Sequence, residues 1–134
     1  MSVVYDGRNS EEFAIGLNKV FRELGLPYRA ELEREPRCYE SPRHGYVCNS
    51  DYIPVYIVNE NGRPVDARMD MKLVDSSGDE CCGYGYSNSY YDALLEIRDG
   101  KRLVKLRLYI TVSSRDYYFK VYVSLDKVLE RRGV

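Results

Sequence analysis

Between Asn9 and Gly25 the apolar residues Phe13, Leu17, Val20, Phe21 and Leu24 recur every three or four positions, the period of a helix with one packed face. Asn9 stands where an N-cap belongs, with Glu12 three residues on as in a capping box. Glu11 and Glu12 suit the positive end of the helix dipole. Gly25 and Pro27 close the run. Beyond them the period changes. The segment YRAELERE alternates weakly and predicts a short exposed strand, and CYESPRHGYVC reads as a hairpin around Pro42, Arg43 and His44. DYIPVYIV and RPVDARMDMKLV flank Asn61-Gly62, a two-residue hairpin signal. The Gly/Ser-rich stretch DSSGDECCGYGYSNS predicts a long loop.

The last third alternates strictly. With Asp99-Gly100 as a turn, Arg98 meets Lys101, Leu95 meets Val104, Ala93 meets Leu106 and Tyr91 meets Leu108; Asp92 falls opposite Arg107. A second turn at Ser114-Arg115 sets Val112 against Tyr117, Ile110 against Phe119 and Leu108 against Val121. Both turns yield one apolar face, which a one-residue slip would scramble, so a three-stranded meander is expected. LDKVLERR, residues 125–132, predicts a short closing helix. The whole reads as one α+β domain over residues 1–134: an N-terminal helix on a mainly antiparallel sheet, the meander, and the closing helix.

Composition narrows the class. A 44% hydrophobic and 31% charged chain of 134 residues is an ordinary globular protein. No apolar run nears the roughly 18 residues of a membrane span, and the N-terminus lacks the pattern of a secretory signal, so an intracellular, cytoplasmic location is the expectation. There are 14 Arg against 6 Lys, 14 Tyr, a single Thr and no Gln or Trp. That usage leans toward a heat-adapted source and resembles in style the small proteins of hyperthermophilic archaea or their viruses. A net charge of −1 argues against a wholesale basic nucleic-acid binder. From Arg98 to Val134, however, the charge is +6, leaving −7 for residues 1–97, an asymmetry that hints at a charged interaction face.

The meander locates such a face. Opposite the apolar side stand Lys105, Arg107, Tyr109, Tyr118, Lys120 and Tyr122. Aromatic rings can stack unpaired bases while cations hold phosphates, so single-stranded nucleic acid is one candidate partner. Tyr and Arg equally suit a protein partner or self-association, and a plain solvated sheet face explains the same residues.

Four cysteines offer the other chemistry. Cys38 falls opposite Cys48 across the short hairpin, permitting a cross-strand disulfide. Cys38, Cys48, Cys81 and Cys82, or three of them with His44, are the zinc alternative, although no CxxC spacing supports it. Free thiols are the third.

Asp66, Arg68, Asp70 and Lys72 share one face of a strand, and the Asn61-Gly62 turn sets Asp51 opposite Lys72. Asp51 with Asp70-Met-Lys72 resembles the acidic core of the PD-(D/E)xK nuclease superfamily, over roughly residues 9 to 74, with Glu11 or Glu12 on the preceding helix. The resemblance implies carboxylates holding magnesium and a lysine beside the attacked phosphate. The superfamily usually has Glu where this chain has Asp70, and an amphipathic strand with a solvated charged face accounts for the same residues. No phosphate-binding glycine loop or Ser-His-acid arrangement is present. The ranking is therefore a non-enzymatic binding or assembly protein first, with no cofactor. A metal-dependent nuclease and a structural homo-oligomer are the alternatives.

Overall fold

The computed structural model describes residues 1–81, 84–115 and 118–134, the side chains of 79–81, 84 and 118 excepted. It is mostly antiparallel sheet with one helix. In chain order the elements are β1 (Val3–Tyr5), α1 (Ser10–Glu23), β2 (Arg29–Leu32), β3 (Arg37–Ser41), β4 (Gly45–Asn49), β5 (Val55–Val58), β6 (Asp66–Cys81), β7 (Tyr84–Asp99), β8 (Arg102–Arg115) and β9 (Tyr118–Arg132). They form a small sheet ordered β1-β5-β2, a two-stranded hairpin β3-β4, and a four-stranded sheet ordered β6-β7-β8-β9.

One apolar core joins α1, the small sheet and the large sheet. Phe13, Leu17, Val20 and Phe21 of α1, Val55 and Ile57 of β5, and Leu95, Ile97, Val104, Leu106, Leu108 and Ile110 of the large sheet all belong to it. The helix packs tightly on β9 at Gly16, where an added Cβ would stand 3.1 Å from the Val123 side chain. Gly25, at φ +63°, ends the helix in the left-handed conformation that glycine adopts without steric cost.

The hairpin register differs from the sequence expectation, though the faces do not. Asp99 pairs with Arg102, so the loop is Gly100-Lys101; Leu95 then meets Leu106, and Ala93 meets Leu108. Gly100 has φ +61° at the first loop position, where a type II′ turn calls for glycine. The next hairpin is also displaced: β8 runs on to Arg115, which pairs with Tyr118, and Val112 meets Val121. The expected partner of Val112, Tyr117, lies outside the described residues. In each hairpin the turn moved by a whole number of residues, which shifts partners by an even number. Inward residues therefore stayed inward.

Three further expectations are corrected. Residues 125–132 are not a helix but the end of β9. Register shifts between Lys105/Leu106 and between Arg107/Leu108 each add a residue to β9, so Leu108, Leu106 and Val104 meet Leu125, Val128 and Arg131. Inward positions thus recur every three residues, a spacing that resembles one face of a helix. Of the stretch expected as a loop, residues 75–81 and 84–89 are instead the outer part of the β6-β7 ladder, with Ser76 opposite Ser89 and Gly78 opposite Ser87. Finally, β5 and β6 do not form a long hairpin. Asn59 and Arg63 close the turn (2.9 Å) and Val65 donates to the Ile57 carbonyl (2.9 Å), but then the strands part. The reason is that β1 already occupies that edge of β5 at Val55 and Tyr56, while β2 fills the other. β6 pairs with β7 instead.

Candidate functional site

The side of the large sheet away from α1 is covered by no other described element. Rows of residues cross it: Arg68, Glu96, Lys105 and Glu130; then Asp70, Leu94, Arg107 and Lys127; then Lys72, Asp92, Tyr109 and Ser124. Beyond them come Tyr90, Thr111 and Tyr122, then Ser113 and Lys120. Tyr109 is 45% exposed and Tyr122 56% exposed. Of the expected face, Lys105, Arg107, Tyr109, Lys120 and Tyr122 all lie here, while the Tyr118 side chain is outside the described residues.

Their spacing is looser than expected. Lys120 and Tyr122 were to stand opposite Tyr109 and Arg107; they stand opposite Ser113 and Thr111. Tyr109 and Tyr122 remain diagonal neighbours, about 7–8 Å apart in backbone terms. Lys105 and Lys120 sit at opposite ends of the face.

The cations are also engaged. Arg107 meets Asp92 at 3.4 Å and Asp126 at 3.5 Å, and Lys105 meets Glu130 at 3.5 Å. Arg98 pairs with Glu96 at 2.8 Å and Arg68 with Asp70 at 3.6 Å. The Tyr109 phenol is pushed up from its ordinary value, first by the Asp126 charge beside it. Such exposed pairs contribute little stability individually, but they cancel the positive field a polyanion would need. Sequence reasoning missed Asp126 and Glu130, hidden in an assumed helix, and missed that 66–72 share this face. The complementary order of charges in 68–72 and 92–96 was the available signal: Arg68 meets Glu96 and Lys72 meets Asp92.

Asp51, Asp70 and Lys72 do not assemble. Lys72 is opposite Asp92 rather than Asp51. Asp51 accepts from Arg8 (3.0 Å) and from the Asn9 backbone N–H (3.0 Å) at the start of α1. Its neighbour Tyr52 lines a groove with Met69 and Met71, which alternate with Asp70 and Lys72 and so lie on the inner side of β6. The sheet stands between the carboxylate and the lysine. Among the described residues no cluster of His, Cys, Asp and Glu could hold a metal.

The cysteines divide. Cys38 and Cys48 form the expected cross-strand disulfide, with Cα atoms 4.0 Å apart, between paired positions of β3 and β4. Cys82 and the Cys81 side chain lie outside the described residues. The β3-β4 hairpin contributes no residue to the buried core. A two-stranded hairpin alone is marginal in water, so the disulfide is the main restraint on this arm. Replacing both Cys38 and Cys48 with Ser should therefore abolish amide-exchange protection over residues 37–49 while moving the global melting temperature by less than about 3 °C. Hydrogen exchange read by mass spectrometry checks the first, and calorimetry the second. A large fall in melting temperature would show the arm to be part of the cooperative core.

No helix among the described residues is long and apolar enough to cross a membrane. The chain is thus an α+β protein with a broad open sheet face and a disulfide-stapled arm. Comparison with protein-family models, curated proteins and solved structures finds no match to it.

Proposed function

We propose that the protein is a non-enzymatic assembly protein that associates with a second copy of itself through the open face of the large sheet. The observation that carries this reading is the interleaving of cations, anions and exposed tyrosines on a face the chain itself leaves bare. A two-fold contact brings the same patch against itself, and a face with both signs of charge can complement its own copy. The size is adequate. Four strands spaced at ~4.8 Å and ~3.3 Å per residue give a footprint of ~880 Å² over the 14 residues of β8, close to the ~800 Å² per partner of a stable interface.

Sedimentation velocity over a concentration series is the test. The native chain should sediment as a dimer, and Tyr109→Glu or Tyr122→Glu should shift it to a monomer that is still folded by circular dichroism, its melting temperature lowered only by the lost association. A monomer at every concentration overturns the reading.

Single-stranded nucleic acid is the second reading. It is favoured by Lys120, which makes no salt bridge among the described residues although its charge reaches the Glu12 carboxyl of α1, on the same strand and face as Tyr122. Fluorescence anisotropy with a labelled oligonucleotide then distinguishes two contributions. Tyr122→Ala should weaken binding by about 1–3 kcal/mol with the salt slope unchanged, whereas Lys120→Ala should flatten the slope.

A further inference from the structure

On the inner side of β9, away from the open face, a cavity of about 430 Å³ lies between the β3-β4 arm and the start of α1. Its volume falls in the range of small-molecule sites. Phe119 of β9 and Tyr39 and Val47 of the arm supply its apolar surface, and Arg43 and Asn49 its polar edge.

Among the described residues, most side-chain acceptors lining this cavity already take one donor each from the fold, and His44, which also lines it, is engaged as well. One Asp51 oxygen takes the Arg8 guanidinium and the other the Asn9 N–H; Asn9 Oδ1 takes the Ser50 hydroxyl (2.7 Å), and Asn49 Oδ1 takes the Asp51 N–H (2.9 Å). The Arg43 guanidinium, the Asn49 amide nitrogen and the Tyr39 hydroxyl have no acceptor among the described residues. A cavity whose uncommitted side-chain groups include three donors, one of them a permanently charged fork, matches a ligand rich in acceptors and negatively charged. Tyr39 adds a face for a flat ring, and Phe119, one face of which already carries the Arg8 guanidinium 4.6 Å from its centroid, adds apolar surface beside it.

We infer that this cavity binds a small organic anion carrying a planar ring, a phosphomonoester of nucleotide type, with Arg43 and Asn49 at the anion and Tyr39 and Phe119 at the ring. The inference does not rest on the assembly reading, since Phe119 and Tyr122 occupy opposite faces of β9. The Cys38–Cys48 disulfide fixes the arm that carries Tyr39, Arg43 and Asn49, so it also fixes the site.

Isothermal titration calorimetry of the purified full chain at low salt, with adenosine monophosphate as the probe, tests this. Binding is expected, at least about tenfold weaker in Arg43→Ala, because a charge-assisted hydrogen bond is lost from an exposed turn that the fold does not need. The Cys38→Ser/Cys48→Ser double variant should weaken it comparably, and Tyr122→Ala should leave it unchanged. Inorganic phosphate and adenosine, each alone, should bind more weakly than the monophosphate. Absence of binding overturns the inference, as does equal affinity of the native chain and Arg43→Ala. Equal affinity for either fragment alone removes the ring or the anion from the proposal and overturns it too. A loss in Tyr122→Ala would move the ligand to the open face and likewise overturn this site.

Discussion

Leu106→Asp should leave no cooperatively folded protein. Leu106 is fully buried in the core, between Leu95 of β7 and Val128 of β9. Removing its side chain from the core forfeits about 1.5–3 kcal/mol of burial. The larger effect is the carboxylate, which would enter an apolar interior with no cation or donor facing it. That costs several kcal/mol more, or protonates the group and still leaves it without partners. Against a typical domain stability of about 5–15 kcal/mol, the sum removes most or all of the margin. Leu106→Ala provides the graded control, at about 2–5 kcal/mol and still folded. Arg107→Asp provides the positional one. A single residue further along β8 the side chain stands on the open face, where solvent screens the new carboxylate against Asp92 and Asp126, and the fold should survive with only a modest loss of stability. Circular dichroism and urea titration of the three variants read these outcomes. A Leu106→Asp protein with native melting would mean that this face of the sheet is not the core.

That such a prediction can be made from either hairpin register explains what was legible in the sequence. Alternation specifies which side of a strand faces inward, and Val104, Leu106, Leu108 and Ile110 carry that information strongly. Which residue sits opposite which depends on the turn, and displacing a turn by one residue leaves every apolar contact apolar. The charged partners are what change. Arg107 was expected directly opposite Asp92 and instead reaches it diagonally while also meeting Asp126. The arm was legible because two cysteines and a three-residue turn leave one register for β3 and β4.

The misreadings have separate physical causes. From Asp75 to Gly78 the residues of β6 are exposed, so no core imposes alternation, and backbone pairing with β7 holds Ser and Gly in a strand their propensity disfavours. In β9 the bulges gave a strand the apolar period of a helix. The Asn61-Gly62 signal does mark a turn, with Gly62 at φ +73°, but the loop spans three residues, 60–62, rather than two, and a local signal cannot show that β1 occupies the edge its strands would need. That last error built the apparent nuclease constellation. Once β6 pairs with β7, Asp51 and Lys72 have no reason to meet.

Asn9 separates the local reading from the tertiary one, and Asn9→Asp is the substitution that tests it. A helix N-cap accepts Asp as well as Asn, so a simple capping role predicts no loss. The side chain of Asn9 makes no capping hydrogen bond. Its amide nitrogen instead donates to the Glu12 carboxylate and to the Phe119 carbonyl of β9 (2.7 Å), and its oxygen accepts from the buried Ser50 hydroxyl. The residue ties the start of α1 to β9 and to the turn after β4. Aspartate keeps the backbone conformation, φ 48° and ψ 59°, which Asn and Asp tolerate better than other non-glycine residues. It removes both donors, however, and aims a carboxylate at another carboxylate and a carbonyl. The expected loss is about 2–4 kcal/mol at neutral pH. The sign of its pH dependence follows. Facing Glu12, the new carboxyl would have a folded pKa above its unfolded ~4, so the variant should regain stability relative to the native chain as pH falls toward that value. Urea unfolding of both proteins at neutral and acidic pH measures the two stabilities. A variant as stable as the native chain at neutral pH would return Asn9 to the role of a cap.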